Sequence, residues 1–132
     1  MKGSKGGKFI IDSYGWIEYF SGGRLSDRYA EHIEKCTPDK FITPIIIIYE
    51  VYKKIKSHYP EEDAITAIMH IQSITSVIDM DLDMAVGGAD ISIEEGLPMA
   101  DAMIRSTGKK YGAKVITSDN HFRNKDDVIF IE

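Results

Sequence analysis

Lys8-Phe9-Ile10-Ile11-Asp12-Ser13 is a short apolar run that stops on an acid. Four such residues suffice for a strand and are too few for a helix, so residues 8–11 are expected as a buried strand with Asp12 just past its carboxyl end. Working outward, Trp16, Ile17 and Phe20 recur at helical spacing before the Gly22-Gly23 break. Leu25, Tyr29, His32 and Ile33 mark a second helix, and residues 40–43 a second strand after the Thr37-Pro38-Asp39 turn. Pro44 suits the first turn of a helix carrying Ile47, Ile48, Val51, Tyr52 and Ile55, although periodicity leaves a strand open for the Ile45-Ile46-Ile47-Ile48 block. Pro60-Glu61-Glu62-Asp63 opens the next helix, whose apolar face would be Ile65, Ile68, Met69 and Gln72. Val77-Ile78 is a third strand, and Asp81 is placed to cap a helix carrying Leu82, Ala85, Val86 and Ala89. A last helix starts at Pro98 and ends on Gly112, followed by strands at residues 114–117 and 128–131. Short apolar strands alternating with amphipathic helices predict an α/β fold, a three-layer α/β/α sandwich around a mostly parallel central sheet.

The chain has 132 residues, 43% of them hydrophobic, which is one domain with an ordinary core. Residues 1–7, rich in Gly, Lys and Ser, read as a flexible tail with no signal-peptide character, and residues 8–132 as a single domain. No apolar run approaches the ~20 residues of a membrane span. The lone cysteine, Cys36, excludes an internal disulfide and a cysteine-built zinc site, and a cytoplasmic setting is expected. Sixteen basic residues against twenty-one acidic give a net charge of −5, the wrong sign for a generic basic-patch nucleic-acid binder. Acids gathered around a metal ion would remove that objection.

In an open α/β sheet, sites form outside the carboxyl ends of the strands. Asp12 and Asp119 fall at two such ends. Glu50, flanked by Ile48, Tyr49, Val51 and Tyr52, and Asp101, within Pro98-Met99-Ala100-Asp101-Ala102-Met103, lie on helices beside apolar surfaces. A carboxylate in such surroundings costs several kcal/mol unless paired or metal-bound. Four converging acids point to a hard cation, Mg²⁺ or Mn²⁺. Each acid taken singly also reads as a helix cap or a solvated surface group. Asp79, Asp81 and Asp83 are better explained as caps, and Asp90, Glu94 and Glu95 as an exposed helix end.

Competing motifs fail. Ser106-Thr107-Gly108-Lys109 imitates a P-loop tail, but Met103 and Lys110 occupy the positions that need Gly and Ser/Thr. His32, His58, His70 and His121 have no i, i+4 partner, which argues against zinc, and His70 is expected to face solvent. There is no G-x-S-x-G elbow.

Four segments together carry a family resemblance: Phe9-Ile10-Ile11-Asp12-Ser13 with Trp16-Ile17; Ile48-Tyr49-Glu50-Val51; Leu97-Pro98-Met99-Ala100-Asp101-Ala102-Met103-Ile104; and Val115-Ile116-Thr117-Ser118-Asp119-Asn120-His121-Phe122. In this order and spacing the chain resembles PIN-domain ribonucleases of the VapC toxin type. The resemblance implies that Asp12, Glu50, Asp101 and Asp119 form an acidic catalytic and metal-binding site, with Thr117 and Ser13 supporting it. It departs from many such toxins in lacking abundant alanines after Asp101 and in the isoleucine block before Glu50.

The function so implied is Mg²⁺- or Mn²⁺-dependent hydrolysis of RNA phosphodiesters, leaving a 5′-phosphate and a 3′-hydroxyl. An antitoxin protein and a homodimer are the implied partners. The alternatives are a catalytically silent PIN-type module that binds metal and a partner, and a housekeeping RNA-processing nuclease. RNA guidance would come from Lys53 and Lys54 just past Glu50 and from Arg105 one turn after Asp101, with Arg24, Arg28, Lys56, Lys109, Lys110 and Arg123 further out. For each of these the alternative is a solubilising surface charge.

Overall fold

The computed structural model describes residues 7–132, so the tail expected over residues 1–7 lies outside the described residues apart from Gly7. Strand β1 (Lys8–Ile11) is the hub. On one side it pairs in parallel with β4 (Ala113–Thr117), which pairs in parallel with β5 (Val128–Phe130). On the other side a bridge from Phe9 to Phe41 joins it to β2 (Ile42–Pro44), itself parallel to β3 (Ser76–Ile78). Phe9 N donates to Lys40 O at 2.9 Å, and the two phenyl rings meet at 5.3 Å. The strand order is therefore β3-β2-β1-β4-β5, all parallel. The α/β architecture expected from the alternating pattern is observed.

The register decides where the chemistry goes. Ile10 sits opposite Val115 and Ile11 opposite Ile116. The next residues along, Asp12 and Thr117, consequently emerge side by side at the carboxyl ends of the two central strands, and Asp12 N donates to Ile116 O at 3.1 Å.

Six helices cover the sheet: α1 (Ser13–Ser21), α2 (Ser26–Ile33), α3 (Ile45–His58), α4 (Glu61–Ile74), α5 (Leu82–Glu95) and α6 (Met99–Tyr111). They pack chiefly as consecutive pairs, α1 with α2, α3 with α4 and α5 with α6. The isoleucine block is helical, and Pro44 closes β2 and caps α3 from outside instead of occupying its first turn. Its extended backbone is compatible with both duties, and a proline there gives up no helical hydrogen bond. Asp81 caps α5 by accepting from Met84 N at 2.8 Å and Gly112 ends α6 in the left-handed conformation, both as expected, and Gly96 ends α5 in the same way.

The buried core joins Ile10 and Ile11 of β1, Trp16 of α1, Tyr29 of α2, Ile47 and Val51 of α3, Ile71 of α4 and Phe122. Two helix faces differ from the expected ones. In α4 the inward residues are Ala64, Ala67 and Ile71, while Ile65 and Met69 face out. In α5 they are Met84, Gly88 and Ile91, leaving Leu82 (77%) and Ile93 (82%) exposed. Small residues explain both rotations, because they let neighbouring helices approach closely. A Cβ at Gly87 would lie 2.9 Å from Ser106 Oγ of α6, and one at Gly88 3.4 Å from Met103 Cγ. His70, expected in solvent, is half-buried against the rings of Tyr19 and Phe20.

Candidate active site

Asp12 is 2% exposed and is held from two directions. Its Oδ1 accepts from Ser13 N at 2.8 Å, which makes it the cap of α1, with the Ser13 hydroxyl at 3.5 Å. Its Oδ2 accepts from the Thr117 hydroxyl at 2.8 Å, and that hydroxyl accepts in turn from Asp119 N at 2.9 Å. One threonine thus fixes the carboxylate of Asp12 and the backbone of Asp119. Asp119 Oδ1 accepts from His121 N at 2.9 Å and starts a 3-10 turn (Asn120–Phe122), fixing the loop after β4.

Tyr29 supports the same loop from behind. Its hydroxyl accepts from Ser118 N at 2.7 Å and bonds Ser118 Oγ at 2.7 Å. The buried ring needs Gly15 beside it, where a Cβ would come within 2.4 Å of the ring carbons. Burial pushes the Tyr29 phenol up to about 12, so it remains a neutral hydrogen-bonding group.

Asp101 enters from the first turn of α6, and Glu50 from α3. Asp101 and Asp119 lie with His121 so that one ligand atom of each is within 4.8 Å of the others. His121 Nδ1 is 2.7 Å from Asp101 Oδ2 and 3.4 Å from Asp119 Oδ1. The sequence reading did not place His121 in the site, since its meeting with Asp101 is a tertiary contact across twenty residues. The two-residue step from Asp119, within a turn, was the only local sign.

The electrostatics are those of crowded carboxylates. Burial pushes Asp12 up to about 7, with Asp101 and Asp119 pushing the same way against the Thr117 hydrogen bond. Glu50 is raised by burial and by the same two neighbours, with the Ser13 hydroxyl opposing. Asp101 is raised by burial and held back by His121. The hydrogen bond to Asp101 and the charge of Asp119 raise His121. Glu50 Oε1 is buried with no hydrogen-bond partner, a costly condition for a carboxylate oxygen. Among the described residues, no Lys or Arg forms an ion pair with any of the four acids. An all-oxygen set with one imidazole, short of positive charge and with an orphaned buried oxygen, fits a hard divalent cation.

Arg105 does not stand at the rim as expected. It is 5% exposed, its Nε bonds Glu95 Oε1 at 2.9 Å and its Nη1 donates to Asp126 O at 2.8 Å. Lys125 reaches the same Glu95 oxygen at 3.2 Å, so Glu95 is a paired, half-buried group and not part of a free helix end. The trio ties α5, α6 and the loop before β5 together. Arg105→Ala is expected to destabilise the fold by about 1–3 kcal/mol, read as a lower urea midpoint, because the Asp126 carbonyl loses its donor and Glu95 is left with Lys125 alone.

Lys53 and Lys54 are exposed on α3 and border a groove of about 550 Å³ that begins at Glu50 and Ser13. A second hollow of about 350 Å³, between Phe20, Ile55, Tyr59 and Ala67, carries the single acid Asp63 and no carboxylate cluster.

A parallel α/β domain with acids gathered where its central strands end is a class of fold built around an acidic centre. The family described as PIN domain matches residues 9–128, and the chain belongs to it. No curated protein matches it significantly in sequence. Among solved structures it is similar to a toxin–antitoxin complex from Klebsiella pneumoniae, with 22% identity over 92% of this chain and 96% of that one, at a TM-score of 0.75. DNA-bound VapBC from Salmonella typhimurium follows at 16% identity over 94% and 96%, with a TM-score of 0.72. VapC20 of Mycobacterium tuberculosis, a sarcin-ricin-loop-cleaving toxin, shares 14% identity over 81% and 85% at 0.68. The fold is that of the VapC toxins.

Proposed function

We propose that the chain is a metal-dependent endoribonuclease of the VapC type, the toxin of a toxin–antitoxin pair. The observation that carries this reading is that Asp12 and Glu50 both feel the charges of Asp101 and Asp119, that Asp101, Asp119 and His121 lie close enough to share an ion, and that Glu50 Oε1 is buried and unpartnered. These four acids would hold Mg²⁺ or Mn²⁺. A bound ion would supply positive charge against the phosphate oxygens and acidify a water for attack on phosphorus. Thr117 and Ser13 keep Asp12 in one orientation, and the Thr117 hydroxyl sets the backbone of Asp119. His121 restrains Asp101 through Nδ1. Glu50 presents Oε1 as a free acceptor, and burial beside Asp101 and Asp119 strengthens its hold on a proton.

The similar structures solved as toxin–antitoxin complexes support a protein antitoxin as partner. A homodimer belongs to the same reading. Leu82, Val86 and Ile93 form an exposed apolar stripe along α5 that supports such pairing. Among the described residues no helix is long and apolar enough to cross a membrane, and we place the protein in the cytoplasm.

Incubation of a pool of structured RNAs with Mg²⁺, Mn²⁺ or EDTA tests the reading. Cutting is expected with either metal and none in EDTA. Metal binding without cutting would turn the proposal toward a silent binding module. Failure to bind any divalent ion would remove the acidic site and the mechanism with it.

A further inference from the structure

One donor in the acidic cluster is not an oxygen. His121 Nδ1 faces carboxylates from two different elements, Asp101 Oδ2 of α6 at 2.7 Å and Asp119 Oδ1 of the loop after β4 at 3.4 Å. The backbone sets this pose. His121 N donates to Asp119 Oδ1 at 2.9 Å, and the 3-10 turn Asn120–Phe122 brings the ring back over the acid that caps it. The His121 side chain is 55% exposed, against 30% for Asp119 and 13% for Asp101, so the imidazole forms the solvent side of the cluster.

A hydrogen bond accounts for only half of the arrangement. Nδ1 carries at most one proton, and that proton serves Asp101. Asp119 Oδ1 faces the same nitrogen from 3.4 Å, beyond the range of about 3.2 Å for N–H···O, and gains no bond from the ring. A cation suits all three atoms. An octahedral ion with ligands about 2.1 Å away spaces adjacent ligand atoms about 3.0 Å apart. The distances from Nδ1 to the two carboxylates fall on either side of that spacing, and the three ligand atoms all lie within 4.8 Å of one another.

The donor set also bears on which cation is preferred. Mg²⁺ takes oxygen ligands and gives up its water reluctantly. Imidazole nitrogen suits first-row transition ions, whose affinity for mixed nitrogen and oxygen sites rises from Mn²⁺ along the series. Carboxylates alone would serve Mg²⁺ and Mn²⁺ alike, and a nitrogen among them tips the balance toward Mn²⁺.

We propose that His121 Nδ1 is itself a metal ligand beside Asp101 and Asp119, and that it biases the centre toward Mn²⁺ over Mg²⁺. The inference rests on the acidic metal centre of the nuclease reading, and not on cutting. A ligating nitrogen must be free of its proton, so the ion takes the place of the hydrogen bond to Asp101.

The test uses the full-length chain, stripped with EDTA, dialysed and kept free of RNA. The EPR signal of free Mn²⁺ reads the Mn²⁺ affinity, competition reads that of Mg²⁺, and nitrogen modulation in the pulsed EPR of bound Mn²⁺ reads ligation. The wild type should show the modulation and bind Mn²⁺ more tightly than Mg²⁺. His121→Gln keeps a donor for Asp101. It should lose the modulation and bind Mn²⁺ at least about tenfold more weakly, as replacing even a group that only supports a ligand does, with Mg²⁺ changed far less. His58→Gln, at the exposed end of α3, should change neither affinity nor modulation. His121 is exposed and its backbone bonds remain in the variant, so thermal melts in EDTA should nearly coincide. Bound Mn²⁺ without nitrogen modulation, equal losses of both metals in His121→Gln, or an Mg²⁺ preference in the wild type would overturn the proposal. Each would leave the acidic centre and the nuclease reading intact. No bound ion in the wild type would bring both down. Nitrogen-ligated Mn²⁺ in a chain that never cuts RNA would leave the ligand assignment standing and the nuclease reading fallen.

Discussion

Asp101→Asn is expected to cut RNA at least ~10²-fold more slowly than the wild-type chain, at saturating Mg²⁺ and with an unchanged fold. Even residues that only support metal ligands cost 10- to 100-fold when replaced, so loss of a ligand charge sets a floor near the top of that range. Asn keeps the size of the side chain and an oxygen for His121, but halves the negative charge that Asp101 and Asp119 present together. The fold should not suffer. Burial and its neighbour already push the Asp101 carboxyl up, and its removal relieves that repulsion at a cost of a few tenths of a kcal/mol at the start of α6. Single-turnover cleavage beside a thermal melt checks both halves. A variant that cuts at the wild-type rate would take Asp101 out of the site.

The second large effect is on stability without metal. Asp12 is pushed from 3.8 up to about 7 by burial. Between those values the unfolded chain has released its proton and the native chain keeps it, so metal-free stability falls as pH rises through this window. The full span is about three units at 1.36 kcal/mol each, at most ~4 kcal/mol. Asp12→Asn removes the buried charge and should flatten the profile. The expected rise in melting temperature at pH 8 in EDTA is roughly 5–10 °C, with little difference at pH 4. Mn²⁺ should stabilise the wild type at pH 8, by about 2.7 kcal/mol at a hundred times its dissociation constant, and do little for the variant. Melts from pH 4 to 8 with and without Mn²⁺ decide it. A wild-type profile that rises with pH in EDTA would contradict the buried-charge account.

Much of this site was legible because its residues announce themselves locally. Asp12 and Asp119 end apolar strands, and Glu50 and Asp101 interrupt apolar helix surfaces, so the cost of burying a carboxylate is visible in four short segments. The helix end at Gly112 was equally readable, since a left-handed residue favours glycine wherever it occurs. Arg105 was misplaced because spacing along α6 puts it one turn from Asp101 but says nothing of Glu95 and the Asp126 carbonyl waiting behind it. His121 was passed over because a ligand-spacing rule looks along one helix, and its partners come from another. The inward faces of α4 and α5 turned toward Ala and Gly, where close helix contact outweighed the size of the apolar side chains.

By itself the sequence determined the order of strands and helices and singled out four acids beside apolar residues, of which Asp12 is the one fully buried. Those are consequences of local periodicity and of the free energy of a carboxylate among apolar neighbours. Only the tertiary structure decided that Ile11 sits opposite Ile116, which brings Asp12 to Thr117 and hence to Asp119. It alone decided that one imidazole meets two of the acids and that a buried arginine serves the fold. Register and helix docking are set by packing between segments far apart in the chain, which no local pattern records.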